Sequence, residues 1–256
     1  MNKRPLGTSG LQITQVGFGA WAIGGGGWSY GWGRQDDADS IAAIRHAVRR
    51  GINWVDTAAI YGLGHSEEVV GQALREIPAT ERPYVFTKGG MIPDRARPFD
   101  EPQRNLRPES IRREVEASLR RLGVERIDLY QFHWPDAVGT PVEDSWGEMS
   151  RLIDEGKVRA GGVSNFDVEL LERAERIRHI DSLQRPFSLI RRQSAAGARS
   201  PEQVDGWIAA GRLTLEPRDL AEIAAALERT QAGAGPIRSE NVAPSRQQSI
   251  DPPRVQ

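Results

Sequence analysis

Short apolar runs rich in β-branched residues alternate with amphipathic helical patterns along most of this chain. One helical pattern, residues 108–122, places Ile111 and Val115 on a single face and ends before Gly123. Strands that alternate with helices predict βαβ units around a parallel sheet. Six runs qualify as strands: Ile13–Gly19, Asn53–Ala58, Tyr84–Lys88, Leu129–His133, Arg159–Ser164 and Ser182–Ser188.

The alternation stops after the sixth strand. Residues 191–196 contain nothing like a seventh strand, and residues 197–203 begin another helix. With 256 residues, the chain has about the length of a minimal (β/α)8 barrel. We therefore predict an α/β fold, a (β/α)8 TIM barrel that lacks its seventh strand. The first and sixth strands would then keep unpaired edges.

The barrel pattern predicts one domain over residues 1–238, with a break near residues 193–197. Residues 239–256 are polar and contain Pro244, Pro252 and Pro253. Such a segment cannot bury an apolar core, so we predict a disordered tail there. Near the other end, residues 6–11 predict a short hairpin, and Thr140 to Glu143 predicts a capping box that opens a helix.

Composition excludes several classes of protein. A net charge of −1, from 34 basic and 35 acidic residues, gives no reason to expect nucleic acid or an anionic membrane as partner. No long uncharged apolar run and no signal peptide are present, which predicts a cytoplasmic protein and leaves oligomerisation open. Cysteine is absent and the four histidines are scattered, so we expect neither a disulfide nor a metal site.

Polar side chains follow the predicted strands at their carboxyl ends, where barrel enzymes place their active sites. Asp56 ends the second strand and Tyr61 follows it, while Lys88 ends the third and His133 the fourth. Lysine occurs at only three positions, 3, 88 and 157, so its use at the end of an apolar strand indicates a specific role.

This set of groups suits proton donation to a carbonyl oxygen. A phenol has a pKa of about 10, and we expect the Lys88 cation to lower the pKa of Tyr61. Asp56 would keep Lys88 charged and oriented, and His133 would hydrogen-bond the substrate oxygen. The group contains no nucleophile and no metal, so the carbonyl carbon must receive hydride from a cofactor.

Several motifs in order resemble the aldo-keto reductase superfamily, in the bacterial branch that also resembles potassium-channel β subunits. They are Val55-Asp56-Thr57-Ala58-x-x-Tyr61-Gly62, Gly64-x-Ser66-Glu67, Phe86-Thr87-Lys88, residues 129–134, residues 161–166 and residues 197–203. The resemblance implies that Tyr61 is the general acid, that Lys88 and Asp56 tune it, and that His133 orients a carbonyl or alcohol substrate.

The same resemblance implies the binding residues. Ser164, Asn165 and Gln184 would hold the nicotinamide carboxamide, and Trp21 and Trp134 would wall the substrate pocket. The adenosine end would be met by Gly197, Arg199, Ser200 and Gln203. Here Ser200 is a plausible N-cap, and a helix N-terminus beside Arg199 suits a 2′-phosphate, which favours NADP(H) over NAD(H).

The chain also departs from the family pattern. Family members carry a further helix, a seventh strand, another helix and most of an eighth strand between the positions of Gln193 and Gly197. Two other functions therefore stay open: a non-catalytic, cofactor-sensing or regulatory subunit, and a barrel lyase or isomerase with a Schiff base on Lys88. The glycine run 24–27 lacks a following Lys-Ser/Thr, so we expect it to let a substrate loop bend around Trp28, Tyr30 and Trp32.

Overall fold

The computed structural model describes residues 1–184, 200–202, 205, 216–218, 221–222 and 225. The chain forms two compact units, Met1–Thr214 and Leu215–Gln256. In the second unit, the described residues at 217–218, 221–222 and 225 are helical. The predicted break near 193–197 and the predicted tail over 239–256 lie outside the described residues. The single domain over 1–238 stays a prediction.

Six parallel strands of the first unit form one sheet in the order β10-β9-β8-β5-β4-β3. These strands are β3 (Phe18–Gly19), β4 (Trp54–Asp56), β5 (Tyr84–Gly89), β8 (Ile127–Phe132), β9 (Val158–Ser164) and β10 (Ser182–Gln184). Strands that are neighbours in this sheet also follow one another along the chain, if only the strands of this sheet are counted. Within the described residues, β3 and β10 are the sheet edges.

The first predicted strand, Ile13–Gly19, is divided in two. Its first half belongs to the antiparallel hairpin of β1 (Lys3–Pro5) and β2 (Gln12–Thr14), and only Phe18–Gly19 joins the sheet. The predicted hairpin is thereby confirmed. Its Leu11 side chain is fully buried against Phe86, Leu129 and Ala160, which face one side of the sheet. A second antiparallel pair joins β6 (Met91–Ile92) to β7 (Gln103–Arg104).

Within residues 1–184, five α-helices connect the strands: α1 (Asp37–Arg49), α2 (His65–Glu76), α3 (Pro108–Leu122), α4 (Val142–Asp154) and α5 (Val168–Glu175). Short 3-10 turns occupy Ala22–Gly24, Tyr61–Gly64 and Ala79–Glu81. Side chains of Asp36 and Asp167 cap α1 and α5. The predicted capping box at Thr140–Glu143 is wrong, because α4 begins at Val142 and Pro141, its N-cap, brings no side-chain cap. None of the described helices combines the length and apolarity needed to cross a membrane.

Alternation along the strands separates two layers of side chains. One face of the sheet presents Phe86 and Leu129 to the hairpin. The same face presents Lys88 and Gln131, which lie two residues further along the same two strands. The opposite face packs on the helices, where Phe132 meets the fully buried Trp146 of α4 at 5.4 Å between ring centroids. The indole Nε1 of Trp146 donates a 2.8 Å hydrogen bond to the carbonyl of Arg178. The larger apolar core thus lies between sheet and helices.

Helices α2 and α3 approach closely at Gly71. A Cβ atom on this residue would lie 2.5 Å from the carbonyl oxygen of Arg121 and 2.8 Å from that of Leu122. Backbone oxygens at a helix end cannot move aside independently of α3. Gly147 in α4 is different, since its Cβ would find only the flexible end of Arg151 at 3.9 Å.

Gly71→Ala should therefore destabilise the fold by about 1–3 kcal/mol through overpacking, although alanine is the better helix former. The matched change Gly147→Ala should leave stability unchanged or raise it by up to about 1 kcal/mol. Urea unfolding of both variants checks this. Equal effects of the two changes would contradict the close approach at Gly71.

A buried carboxylate of α3 lies under the loop that follows β5. Glu114 Oε2 accepts a hydrogen bond from the backbone N–H of Gly90 at 2.9 Å, while Oε1 is buried without a partner among the described residues. Burial raises the pKa of Glu114 to about 7, and the Glu67 carboxylate adds to this, although the Gly90 N–H and the Arg121 cation oppose it. The folded state thus binds this proton more tightly than the unfolded chain does.

Stability should consequently fall as the pH rises from about 4.5 to about 7, because the folded chain must then bury the ionised form. Glu114→Gln keeps an acceptor for Gly90 and should raise the free energy of unfolding at pH 8 by about 1–3 kcal/mol. At pH 4.5 the difference should nearly vanish. Glu116→Gln, on the solvent side of α3, is the control and should bring no such gain. Parallel pH curves for Glu114→Gln and wild type would refute the assignment.

Candidate active site

The parallel register brings the predicted catalytic residues to one end of the sheet. Asp56 pairs with Phe86, so Lys88 lies two residues beyond on the next strand. Lys88 in turn pairs with Gln131, so His133 lies two residues beyond, directly after the end of β8. Since alternate residues share a face, Asp56, Lys88 and His133 come from three adjacent strands to one region. This is the carboxyl end of the sheet, as predicted.

Lys88 and Asp56 form a buried ion pair. The Lys88 Nζ lies 2.6 Å from Asp56 Oδ2 and donates a second hydrogen bond of 3.0 Å to the carbonyl of Thr57. Lys88 is 1% exposed and Asp56 is 4% exposed. Burial alone lowers the pKa of Lys88, but Asp56 and then Tyr61 outweigh it, and the pKa ends above its usual value. Lys88 is therefore an ammonium at neutral pH.

The backbone around Tyr61 is unusual. Residues Gly62, Leu63 and Gly64 all have positive φ, of 60°, 57° and 106°. Gly24 packs directly on this turn, because a Cβ atom on it would lie 2.8 Å from the Gly62 nitrogen. The glycine run was predicted to let a loop bend, and the structure adds this close approach at Gly24. Gly24 permits the contact between two backbones that places Tyr61.

The Tyr61 phenol lies within a ring of other site residues. Its ring centroid is 5.4 Å from Lys88 Nζ and 5.7 Å from the His133 ring. Burial raises the pKa of Tyr61, and although Lys88 lowers it in part, the net shift is upward. The predicted effect of Lys88 on the pKa of Tyr61 is thus present, but the pKa does not end below its usual value, because desolvation outweighs the cation. The phenol holds its proton firmly at neutral pH.

His133 is uncharged in this environment. Burial and then the Lys88 cation hold the pKa of His133 well below its usual value. The backbone N–H of His133 donates to the Gly89 carbonyl at 2.9 Å, and its carbonyl accepts from Asn165 Nδ2 at 3.0 Å. Its Nδ1 is buried without a hydrogen-bond partner among the described residues. A neutral imidazole can serve a ligand as donor or acceptor.

Aromatic side chains surround Tyr61. Trp21 stacks on it at 6.1 Å between centroids with a 23° interplanar angle, and Trp28 lies at 6.3 Å. Trp134 packs in the same apolar cluster, and the Arg104 guanidinium covers its ring at 4.4 Å. Trp21 is 44% exposed, as a pocket wall open to solvent would be. The sequence predicts Trp28 in the loop that follows the glycine run. Its place beside Tyr61 depends on the tertiary contact between Gly24 and the turn at Tyr61.

The three residues predicted to meet a carboxamide lie together. Ser164 ends β9 and pairs with Gln184 of β10, and Asn165 follows with a positive φ of 63°. Asn165 Nδ2 donates to His133 and, at 3.1 Å, to Ser164 Oγ, while Gln184 Nε2 lies 3.4 Å from Asp56 Oδ2. Among the described contacts, the side-chain oxygens of Asn165 and Gln184 accept nothing, and the Ser164 hydroxyl donates to nothing. This donor and acceptor set fits a primary carboxamide.

The predicted adenosine-end residues are only partly described. Ser200 lies at a bend directly before the helical residues Pro201 and Glu202, as an N-cap would. Gly197, Arg199 and Gln203 lie outside the described residues. Their roles stay predictions.

Two polar residues of α2 lie behind Asp56 and Lys88, and the sequence motifs gave them no role. Glu67 is fully buried, accepts from Thr87 Oγ1 at 2.6 Å and forms an ion pair with Arg121 Nε at 2.6 Å. Ser66 is also fully buried and contacts Thr57. A signal was present, because Glu67 falls on the apolar stripe of α2 that Val70 and Leu74 continue at helical spacing.

Known proteins share this sequence pattern. Aldo-keto reductase YhdN of Bacillus subtilis is 37% identical over 193 residues, and NADH-specific methylglyoxal reductase of Escherichia coli is 39% identical over 201 residues. Each match covers 75% of this chain, but only 56% of the Bacillus protein and 60% of the Escherichia coli protein. The chain thus spans little more than half the length of these relatives.

The fold has solved counterparts. The glycerol dehydrogenase AKR11B4 of Gluconobacter oxydans superposes with a TM-score of 0.79 at 28% identity, covering 94% of this chain and 99% of that one. The predicted (β/α)8 barrel type is confirmed by this likeness. The sequence model of the Aldo/keto reductase family matches residues 15–196, which leaves Gly197 to Gln203 outside the match. Since that match includes Asp56, Tyr61, Lys88 and His133, the chain belongs to the aldo/keto reductase family.

Proposed function

We propose that this chain reduces an aldehyde or ketone reversibly to the alcohol with NADP(H), and that Tyr61 is the general acid. The observation that carries the proposal is the protonated Tyr61 phenol held between the buried Lys88 ammonium and the neutral His133. The reduced cofactor, when bound, supplies hydride to the carbonyl carbon. Ser164, Asn165 and Gln184 would hold its carboxamide.

The chain's own groups account for the proton that the oxygen must gain. Tyr61 donates its phenolic proton to the developing alkoxide, and the Lys88 ammonium stabilises the phenolate that remains. Asp56 holds Lys88 in place, and His133 hydrogen-bonds the substrate oxygen so that it faces the phenol. Trp21, Trp28 and Trp134 limit the access of water to these groups.

Two relatives suggest where to look for the substrate. One is named for methylglyoxal and the other for glycerol, both small and oxygen-rich. We therefore propose a small polar carbonyl compound as substrate class, and a panel should begin with methylglyoxal, glyceraldehyde and dihydroxyacetone. Oxidation of the reduced cofactor follows turnover.

The two alternative functions, a Schiff-base lyase and a cofactor-sensing subunit, require different properties of the site. A Schiff-base lyase needs a neutral lysine amine, whereas Asp56 keeps Lys88 as an ammonium. A cofactor-sensing subunit would bind the nucleotide without oxidising it over the whole substrate panel. That second reading remains the competing proposal, since the chain spans only part of its relatives.

Tyr61→Phe removes the proton donor and keeps the ring. We expect kcat to fall at least about a hundredfold, while the dissociation constant of the cofactor stays nearly unchanged. Tyr84→Phe, at the opposite end of β5, is the matched control and should keep wild-type kcat. Equal turnover of Tyr61→Phe and wild type would rule out the general-acid role.

Arg199→Ala tests the cofactor preference. If Arg199 binds the 2′-phosphate, NADPH affinity should fall at least about tenfold, because a charge-assisted hydrogen bond is lost, while NADH affinity hardly changes. Arg120→Ala, on the exposed face of α3, should alter neither. Fluorescence titration with both cofactors measures this. Equal losses for NADPH and NADH, or a wild-type preference for NADH like that in the name of the Escherichia coli relative, would refute the NADP(H) proposal.

A further inference from the structure

Thr57 and Thr87 face the helices, while their neighbours Asp56 and Lys88 face the site. This follows from strand alternation, since residues next to each other point to opposite faces. Both threonines are fully buried, so their hydroxyls need partners inside the protein. Those partners are the consecutive residues Ser66 and Glu67 in the first turn of α2.

Ser66 anchors the start of α2 to the sheet. Its hydroxyl donates to the carbonyl of Ala20 at 2.8 Å, so the 2.8 Å contact with Thr57 Oγ1 must have Thr57 as donor. Thr57 also supplies the carbonyl that accepts from Lys88 Nζ, and the backbone N–H of Ala20 donates to the Asp56 carbonyl. The first turn of α2 is therefore fixed relative to β4.

Glu67 extends this attachment to β5. One carboxylate oxygen accepts from Thr87, and the other pairs with Arg121 of α3, so the whole group is satisfied although it is fully buried. Beyond Lys88, the strand ends at Gly89 and Gly90 follows it, and neither residue offers a side chain for packing. The Thr87 hydroxyl is thus the side-chain attachment nearest to Lys88 on the helix-facing side of β5.

Tyr61 and Glu67 belong to one continuous segment. The turn at Tyr61–Gly64 leads directly into α2 at His65. The hydrogen bond from Thr87 to Glu67 consequently joins the segment that carries Tyr61 to the strand that carries Lys88. The ion pair with Asp56 fixes Lys88 relative to β4, and the backbone N–H of Ala59 donates to the Lys88 carbonyl at 2.9 Å, but neither contact involves α2, the helix into which the Tyr61 turn leads.

We propose that Glu67 is a positioning residue, which acts through Thr87 to hold Lys88 at its working distance from Tyr61. The role rests on the proposed function, in which Tyr61 donates the proton. It goes beyond that function by assigning a task to a fully buried residue on the helix-facing side of the sheet.

Thr87→Val removes the hydroxyl and keeps the shape, whereas Thr87→Ser keeps the hydroxyl. We expect Thr87→Val to lower kcat at least about tenfold with KM close to wild type, and Thr87→Ser to retain most of the activity. Thr14→Val, an equally buried threonine in the hairpin, is the matched control. A loss in Thr87→Val no larger than in Thr14→Val would overturn the proposal.

A double-mutant cycle separates positioning from general structural damage. In the Tyr61→Phe background, Thr87→Val should change kcat by less than about twofold, because there is no phenol left to position. The same loss in both backgrounds would show a merely structural role and overturn the proposal.

A second measurement does not need turnover. Ionisation of Tyr61 is followed by the ultraviolet absorbance of tyrosinate, taken as the difference between each protein and the same protein carrying Tyr61→Phe. The midpoint of this titration should lie at higher pH in Thr87→Val than in wild type, because Lys88 lowers the pKa of Tyr61. An unshifted titration would overturn the positioning role. If wild type fails to reduce any carbonyl with either cofactor, the proposed function fails, and the titration alone then decides about Glu67.

Discussion

The buried ion pair of Lys88 and Asp56 constrains everything around it. Removing two charges from water costs several kcal/mol for each ion, and only close partners offset that cost. Here Thr57, Gln131 and Gln184 supply the remaining hydrogen bonds to the pair. Because Asp56 belongs to β4 and Lys88 to β5, a slip of these two strands by one residue would leave both charges unpaired. The pair therefore stabilises one register of the sheet.

The same pair sets the charge state of its neighbours. The permanent Lys88 cation lowers the pKa of His133, which burial has already lowered, and opposes the rise that burial causes in the pKa of Tyr61. The site thus holds a protonated phenol, an ammonium and a neutral imidazole at neutral pH. Behind it, the ion pair of Glu67 and Arg121 repeats the arrangement on the helix side of the sheet. Two ion pairs, one on each face, thus enclose the carboxyl end of β5.

Local patterns were enough for most of the fold. Alternating runs predicted a parallel sheet, and helix α3 begins and ends at the residues that its apolar stripe, Pro108 and Gly123 indicated. Local patterns failed where the structure of a segment depends on the strand with which it pairs. Ile13 to Gly19 reads as one strand, yet its first half pairs with Lys3–Pro5 and only Phe18–Gly19 joins the sheet. The helix expected at Pro141 likewise begins at Val142, without the side-chain cap that the capping box requires.

The sequence by itself determined which groups meet at the site. Asp56, Lys88 and His133 end neighbouring parallel strands, and alternation with period two leaves each of them facing the same side. Tertiary structure decided what those groups do electrostatically. Tyr61 has a raised pKa because desolvation outweighs Lys88, and neither its contact with Gly24 nor the burial of Glu67 can be read from local spacing. Spacing along a chain fixes direction and face, whereas burial and charge depend on residues brought together from distant parts of the chain.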